Sequence, residues 1–153
     1  RSITAYKGDK LPYKRKNNER ILLVGQEEFK DFFNEAKKRY GDDCAKLPFP
    51  YELGPIRTDW TGNKLESLVS GYDTIICCVA NERSAEIAKR LKKYPEKNII
   101  ILSVLTPVPI LDFKWADTIL CGYSFSKVSF KALYGALNGE YIPKGQIPLS
   151  QIK

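Results

Sequence analysis

The stretch DTIICCVANERSAEIAKRLKKYPEKNIIILSV, residues 73–104, decides how the rest of the chain is read. Asp73 to Ala80 is a run of apolar and β-branched residues too short for a helix, the pattern of a strand buried on both faces. Ser84 to Tyr94 then places Ala85, Ile87, Ala88 and Leu91 on one side of a helix, and Pro95 ends it. Lys97 to Val104 returns as a second buried strand. Strand, helix and strand in this order form a right-handed crossover between parallel neighbours.

Working outward, the same alternation continues in both directions. Arg20 to Gly25 is a short apolar run ending in Gly, another buried strand. Glu27 to Tyr40 carries Phe29, Phe32, Phe33, Ala36 and Tyr40 at helical spacing, with Gly41 as its C-cap. Acidic residues crowd its first turn and basic residues its last, as the helix dipole favours. Leu47 to Gly62, with three prolines and two glycines, reads as mostly irregular, and Lys64 to Ser70 as a short helix stopped by Gly71. Asp117 to Cys121 is a fourth strand and Phe125 to Leu137 a final helix closed by Asn138-Gly139. The expected fold is a three-layer α/β/α sandwich with a mostly parallel sheet, of flavodoxin-like type. It forms one domain: residues 1–19 a linker and entry strand, 20–139 the sandwich, 140–153 an extended tail in which Pro143 and Pro148 fix the path and Gly145 allows a turn.

Composition agrees with one ordinary globular domain: 153 residues, 43% hydrophobic and 28% charged. No apolar run approaches the roughly 20 residues of a membrane span. The first residue is Arg1 and the chain has no Met, as expected of a mature terminus or an excised fragment. Net charge is +7, but clusters such as Lys37-Lys38-Arg39 and Lys89-Arg90 with Lys92-Lys93 lie on helices among glutamates. They read as solvated faces, and without a nucleic-acid motif no nucleic-acid partner is expected. Cys77, Cys78 and Cys121 sit in strand runs and, with Cys44, read as core thiols. With no histidine and no CxxC pair, no metal site is expected.

Complete catalytic sets are missing. There is no P-loop and no GxGxxG after the first strand, so no cofactor is expected. A phosphorylation pocket of the response-regulator kind needs an Asp at the tip of the central strand, and Ala80-Asn81-Glu82 offers none. Ligands of doubly wound sheets gather at the carboxyl ends of the strands. Here those ends are Gly25-Gln26, Ala80-Asn81-Glu82, Thr106 to Pro109 and Gly122-Tyr123-Ser124. Asn81, Thr106 and Tyr123 are the candidate substrate contacts, and Glu82 is the one candidate catalytic carboxylate. The plainer reading of Glu82 is a helix N-terminal charge beside Ser84. Trp60 and Trp115 read as core or interdomain packing before sugar-stacking platforms.

The two ends of the chain carry a resemblance. Ser2-Ile3-Thr4-Ala5-Tyr6-Lys7-Gly8-Asp9-Lys10-Leu11-Pro12 resembles the S-I-T-L-V-K-N-x-x-x-L-P entry into the C-terminal domain of family 3 glycoside hydrolases. Ile21 to Gly25 then resembles its I-L-V-V-G strand. Ala116 to Ser124 is similar to A-D-A-x-L-x-x-Y-x, Ser129 to Glu140 to a helix ending L-x-G-E, and Ile142 to Leu149 to x-P-x-G-K-L-P-V. In order and spacing these pieces cover nearly the whole chain. The family's R-x-P-Y-D motif is altered: Val108 and Pro109 stand where Tyr and Asp usually do, which removes a polar group from that loop.

The resemblance implies the C-terminal, non-barrel domain of a retaining glycosidase for β-linked sugars. Its partners would be an N-terminal TIM-barrel catalytic domain, which carries the Asp nucleophile, and a carbohydrate substrate shared with that barrel. In the glucosidase branch the C-terminal domain supplies the acid/base Glu, and Glu82 is the one position to nominate for it. In the β-N-acetylglucosaminidase branch a barrel His does this work, and the short passage from Asn81-Glu82 into a helix is more similar to that branch. Bacterial cytoplasm and cell envelope both stay open as locations. Two other classes remain beside it: a free-standing flavodoxin-like module with a small ligand at the strand ends, and a basic binder of protein or nucleic acid.

Overall fold

The computed structural model describes residues 3–143 together with 145 and 146. Seven strands form one sheet in the order β3-β2-β4-β5-β6-β1-β7. The strands are β1 (Thr4–Lys7), β2 (Ile21–Gln26), β3 (Ala45–Phe49), β4 (Thr74–Val79), β5 (Asn98–Ser103), β6 (Thr118–Cys121) and β7 (Gly145–Gln146). The helices are α1 (Lys30–Tyr40), α2 (Pro55–Leu68), α3 (Glu82–Lys89) and α4 (Lys127–Leu137). From β3 to β6 all pairings are parallel; β1 lies antiparallel on β6, and β7 lies parallel on β1. The fold is the expected three-layer α/β/α sandwich.

Alternation along the strands divides the core in two. Ile76, Cys78 and Ala80 of β4 and its end, with Ile100 and Leu102 of β5, face α1 and α4. Ile75, Cys77, Val79, Ile99 and Ile101 face α2 and α3. Every one of these residues is buried, so both faces must be covered by helices. All four cysteines are buried free thiols, and burial pushes Cys77 and Cys78 well above the ordinary thiol range. Trp115 packs on Phe113, with ring centroids 4.9 Å apart.

One segment departs from the expectation. Leu47 to Gly62 is not irregular: it supplies β3 and the first half of α2. The short helix expected from Lys64 to Ser70 is the second half of α2, followed by a single 3-10 turn at Val69–Gly71. The prolines sit where these elements tolerate them. Pro48 is in an edge strand, where one side needs no ladder donor, and Pro55 is the first helical residue, where the N–H is unpaired anyway. The buried side of α2 is Thr58, Thr61, Gly62 and Leu65, so it shows little apolar periodicity. Thr58 and Thr61 hide their hydroxyls by donating to the carbonyls of Gly54 and Arg57, at 2.8 and 2.7 Å.

Smaller differences have local causes. The helix expected from Glu27 begins at Lys30, because Phe29 N–H turns back to the carbonyl of Gln26. Only Asp31 is then left as an acidic residue in its first turn. The helix expected from Ser84 begins at Glu82 and tightens into a 3-10 turn at Arg90–Lys93. The basic clusters on both helices do meet glutamates: Lys38 and Arg39 pair with Glu35, and Arg90 and Lys93 with Glu66. The tail pairs alongside β1 at Gly145–Gln146, so Gly145, expected to allow a turn, lies in a strand, while Arg1, Ser2, Lys144 and residues 147–153 lie outside the described residues.

Candidate functional site

The parallel strands deliver their carboxyl ends to one edge of the sheet. Between β2 and β4 the chain order reverses direction across the sheet, which is where such folds hold ligands. The ladder between these two strands stops at Val24 and Cys77. The pairing of β2 with β3 runs on to Gln26 and Phe49, and that of β4 with β5 to Val79 and Ser103. The two halves of the sheet therefore part at this edge.

Two side chains bridge the parting. Gln26, fully buried, donates from Nε2 to the carbonyl of Cys78 at 3.3 Å, and its Oε1 has no partner among the described residues. Above it, Asn81 Nδ2 donates to the carbonyl of Tyr51 at 3.1 Å. The same Tyr51 donates its N–H to Glu28 Oε1 at 2.9 Å, so the loop after β3 is clamped from both sides. Glu28, expected as a helix charge, is thus a loop clamp.

Asn81 is also the N-cap of α3. Its Oδ1 accepts from the Ser84 N–H at 2.9 Å, and Ser84 Oγ accepts from the N–H groups of Ala80 and Asn81. This reciprocal box lets β4 pass into α3 with no intervening loop. Glu82 is consequently the first residue of the helix, with its side chain exposed. A depression of about 730 Å³ lies here, lined by Tyr51, Glu52, Leu53, Asn81, Glu82 and Arg83. Glu52 and Arg83 join Glu82 in it. Sequence reasoning missed both, Glu52 because its loop had no assigned place and Arg83 because it reads as an ordinary helix charge.

The other two candidates stand apart from this depression. Thr106 follows β5, with its Oγ1 accepting from the Val108 N–H at 3.3 Å and its carbonyl from Ser103 Oγ at 3.2 Å. Tyr123 follows β6 and turns toward β1, donating to Thr4 Oγ1 at 3.1 Å. Burial and then the hydrogen bond with Tyr123 push the neighbouring Tyr6 phenol upward. Leu105 and Tyr123, each just beyond a strand end, hold φ of 75° and 63°, a region side chains rarely adopt. Asn81 and Glu82 are thus brought together, while Thr106 and Tyr123 hold their own loops one and two strands to the side, respectively. Trp60, expected in core or interdomain packing, is 54% exposed and so not in the core of this domain, with the Arg57 guanidinium 5.3 Å from its ring centre. Among the described residues no group of three or more His, Cys, Asp or Glu is placed to hold a metal ion.

The sequence matches no family model and no curated protein. Solved structures do match. A fungal multi-domain GH3 β-N-acetylglucosaminidase, with a GCN5-related glucosamine N-acetyltransferase region, aligns over 95% of this chain at TM-score 0.71 and 18% identity. A GH3 β-N-acetylglucosaminidase from Paenibacillus sp. str. FPU-7 aligns over 95% at TM-score 0.75 and 14% identity. A β-glucosidase from Listeria innocua, in complex with isofagomine, aligns over 94% at TM-score 0.66 and 16% identity. The chain spans 18, 30 and 24% of these three chains, respectively. The likeness is one of fold: this chain has the α/β sandwich that forms one part of the longer family 3 glycoside hydrolases.

Proposed function

We propose that this chain is the C-terminal, non-barrel domain of a family 3 retaining glycosidase for β-linked sugars. It braces a catalytic barrel and closes one side of the sugar cleft. The observation that carries this reading is the extent of the likeness, 95% of this chain against 30% of the Paenibacillus enzyme. A retaining mechanism needs two groups flanking the scissile bond. The depression holds two exposed carboxylates, Glu52 and Glu82, and the resemblance assigns the Asp nucleophile to the barrel domain.

Within this reading β-N-acetylglucosaminides are the favoured substrates. The support is the cap at Asn81: it fixes Glu82 in the first turn of α3 and leaves no loop to carry that carboxylate into a neighbour's cleft. The domain then shapes the cleft wall through Glu52, Asn81 and Arg83, and the acid/base is supplied elsewhere.

The test is turnover of 4-nitrophenyl β-N-acetylglucosaminide and β-glucoside by the full polypeptide and by residues 1–153 alone. The full polypeptide is expected to cleave the first in preference, and residues 1–153 to cleave neither. Preference for the glucoside overturns the substrate assignment.

A second reading, a flavodoxin-like small-ligand module, has one observation in its favour: the strand order β3-β2-β4-β5-β6 and the parting at its switch point. A flavin or nucleotide absorbance that stays with the purified protein would select it.

A further inference from the structure

We propose that the opposite, amino edge of the sheet carries a second binding site, a hollow that takes a phosphate group, either free or on a small ester. It stands at the far end of the strands from Glu82 and does not depend on the glycosidase reading.

The distribution of charge is the first observation. Residues 8–20 and 89–97 run along the amino edge and lead into β2 and β5. Of the 25 Lys and Arg and 18 Asp and Glu in the chain, these two segments hold ten and three. The remainder is balanced, so they account for the whole net charge of +7. Most of these cations are already spent. Lys10, Arg15, Lys89, Arg90 and Lys93 pair with carboxylates. Lys14 donates to the Asn138 carbonyl at 2.6 Å, and the Arg20 guanidinium lies over the Tyr72 ring. That leaves Lys16, Lys92 and Lys97 without a side-chain partner among the described residues.

Two of these three, Lys16 and Lys97, line one hollow of about 680 Å³, a volume that suits a small ligand. An extended polyanion is held by cations open along a row. Two free ammonium groups on one concavity fit a single compact anion instead, and Lys meets phosphate as a point charge with three donors.

The hollow is also held in shape. Its floor is the start of three strands, Thr74, Asn98 and Thr118, with Asn98 Nδ2 donating to Thr74 Oγ1 at 3.3 Å. Its rim is the long connection of residues 8–20, which has neither helix nor strand of its own. Side chains tie that connection down. The Glu19 carboxylate accepts from the Tyr13 hydroxyl at 2.9 Å, from the Lys16 N–H at 2.7 Å and from the Thr74 hydroxyl. Arg15 donates to the carbonyls of Glu19 and Tyr40. The turn at Asn17 and Asn18, where Asn18 holds φ of 65°, is thereby fixed beside the hollow. A rim ordered in advance lowers the entropic cost of binding.

The hollow's carboxylates are mostly engaged. Besides Glu19, Asp73 accepts from the Arg20 N–H at 2.8 Å, and Asp117 accepts from the Ile99 N–H at 2.8 Å and pairs with Lys10. Glu96 alone among them has no partner among the described residues, and it opposes an anion. The groups left to meet a ligand are chiefly donors: the ammonium groups of Lys16 and Lys97 and the amides of Asn17 and Asn18.

Isothermal titration calorimetry of the full polypeptide at low ionic strength, with inorganic phosphate and glucose 6-phosphate as probes, tests the site. Both probes are expected to bind. Lys16→Gln with Lys97→Gln is expected to weaken binding by about tenfold, and Glu96→Gln to tighten it. Lys37→Gln with Lys127→Gln removes the same charge outside the hollow and is expected to change the affinity less than about twofold. Equal affinity for the two probes assigns the site to free phosphate, and higher affinity for the ester assigns it to an ester that Asn17 and Asn18 also hold. Glycoside turnover is expected to be the same in every variant, so this site and the glycosidase reading fail separately. Absence of binding by both probes overturns the site, as does an equal loss in the two double variants. A short DNA duplex that binds where neither probe does would replace it with a polyanion surface.

Discussion

Gly25 lies where β2 passes beneath the first turn of α1, and a Cβ built there would sit 2.7 Å from two ring carbons of the buried Phe32. Gly25→Ala forces that ring, or the helix that carries it, to move. The expected cost is about 1–3 kcal/mol, the usual penalty of overpacking a filled core, read as a lower urea midpoint. The sequence shows only a Gly at a strand end and suggests a turn; its reason is a ring seven residues on, which packing alone reveals. Asn81 is a similar case, a polar residue at a strand end whose two functional atoms are both spent on structure. Asn81→Ala should lower stability by about 1–2 kcal/mol through loss of the cap. Asn81→Asp keeps an oxygen cap, loses only the bond to Tyr51 and should cost less in the same titration. Glu82, exposed beside it, divides the two glycosidase branches. If a partner His is the acid/base, Glu82→Gln leaves kcat of the full polypeptide nearly unchanged. If Glu82 is the acid/base, kcat falls by about 10²–10⁴.

At the scale of elements, α2 and the 3-10 turn after α3 are joined by a charged network that the sequence reading treats as solvated faces. Glu66 on α2 takes Lys93 at 2.7 Å, Arg90 at 3.0 Å and the Tyr94 hydroxyl at 2.9 Å. The Lys93 contact first, and then Arg90 and Tyr94, hold its carboxyl at about 2, against an ordinary 4.5. A carboxyl lowered in the folded state contributes stability above its unfolded pKa and loses it as pH falls through the folded one. The melting temperature should therefore drop between pH 4.5 and pH 2, and Glu66→Gln should flatten the profile in that window. An unchanged profile in the variant would remove Glu66 from the network's energetics. The strands β2, β4, β5 and β6 were legible because they are apolar on both faces and bounded by turn residues. β3 and α2 were not, since an edge strand tolerates Pro48 and a helix resting on threonines and a glycine shows no stripe. That gap also hid half of the site, because Tyr51 and Glu52 sit in the loop between them.

For the whole molecule, the alternation of strands and helices gave the sandwich, and the motifs at the two chain ends pointed to the enzymes whose fold it shares. What could not be read was the end of the sheet at which β1 begins. That depends on β1 joining β6 antiparallel, a long-range pairing between the first strand and a strand over a hundred residues later. With that pairing in place, the start of β1 and the polar depression share the carboxyl edge of the sheet. Release of 4-nitrophenol from the β-N-acetylglucosaminide, measured side by side on the full polypeptide and on residues 1–153, tests the glycosidase account most directly. The account predicts turnover by the full polypeptide and none by the isolated domain; turnover by residues 1–153 alone, or no β-glycoside cleavage by the full polypeptide, would contradict it.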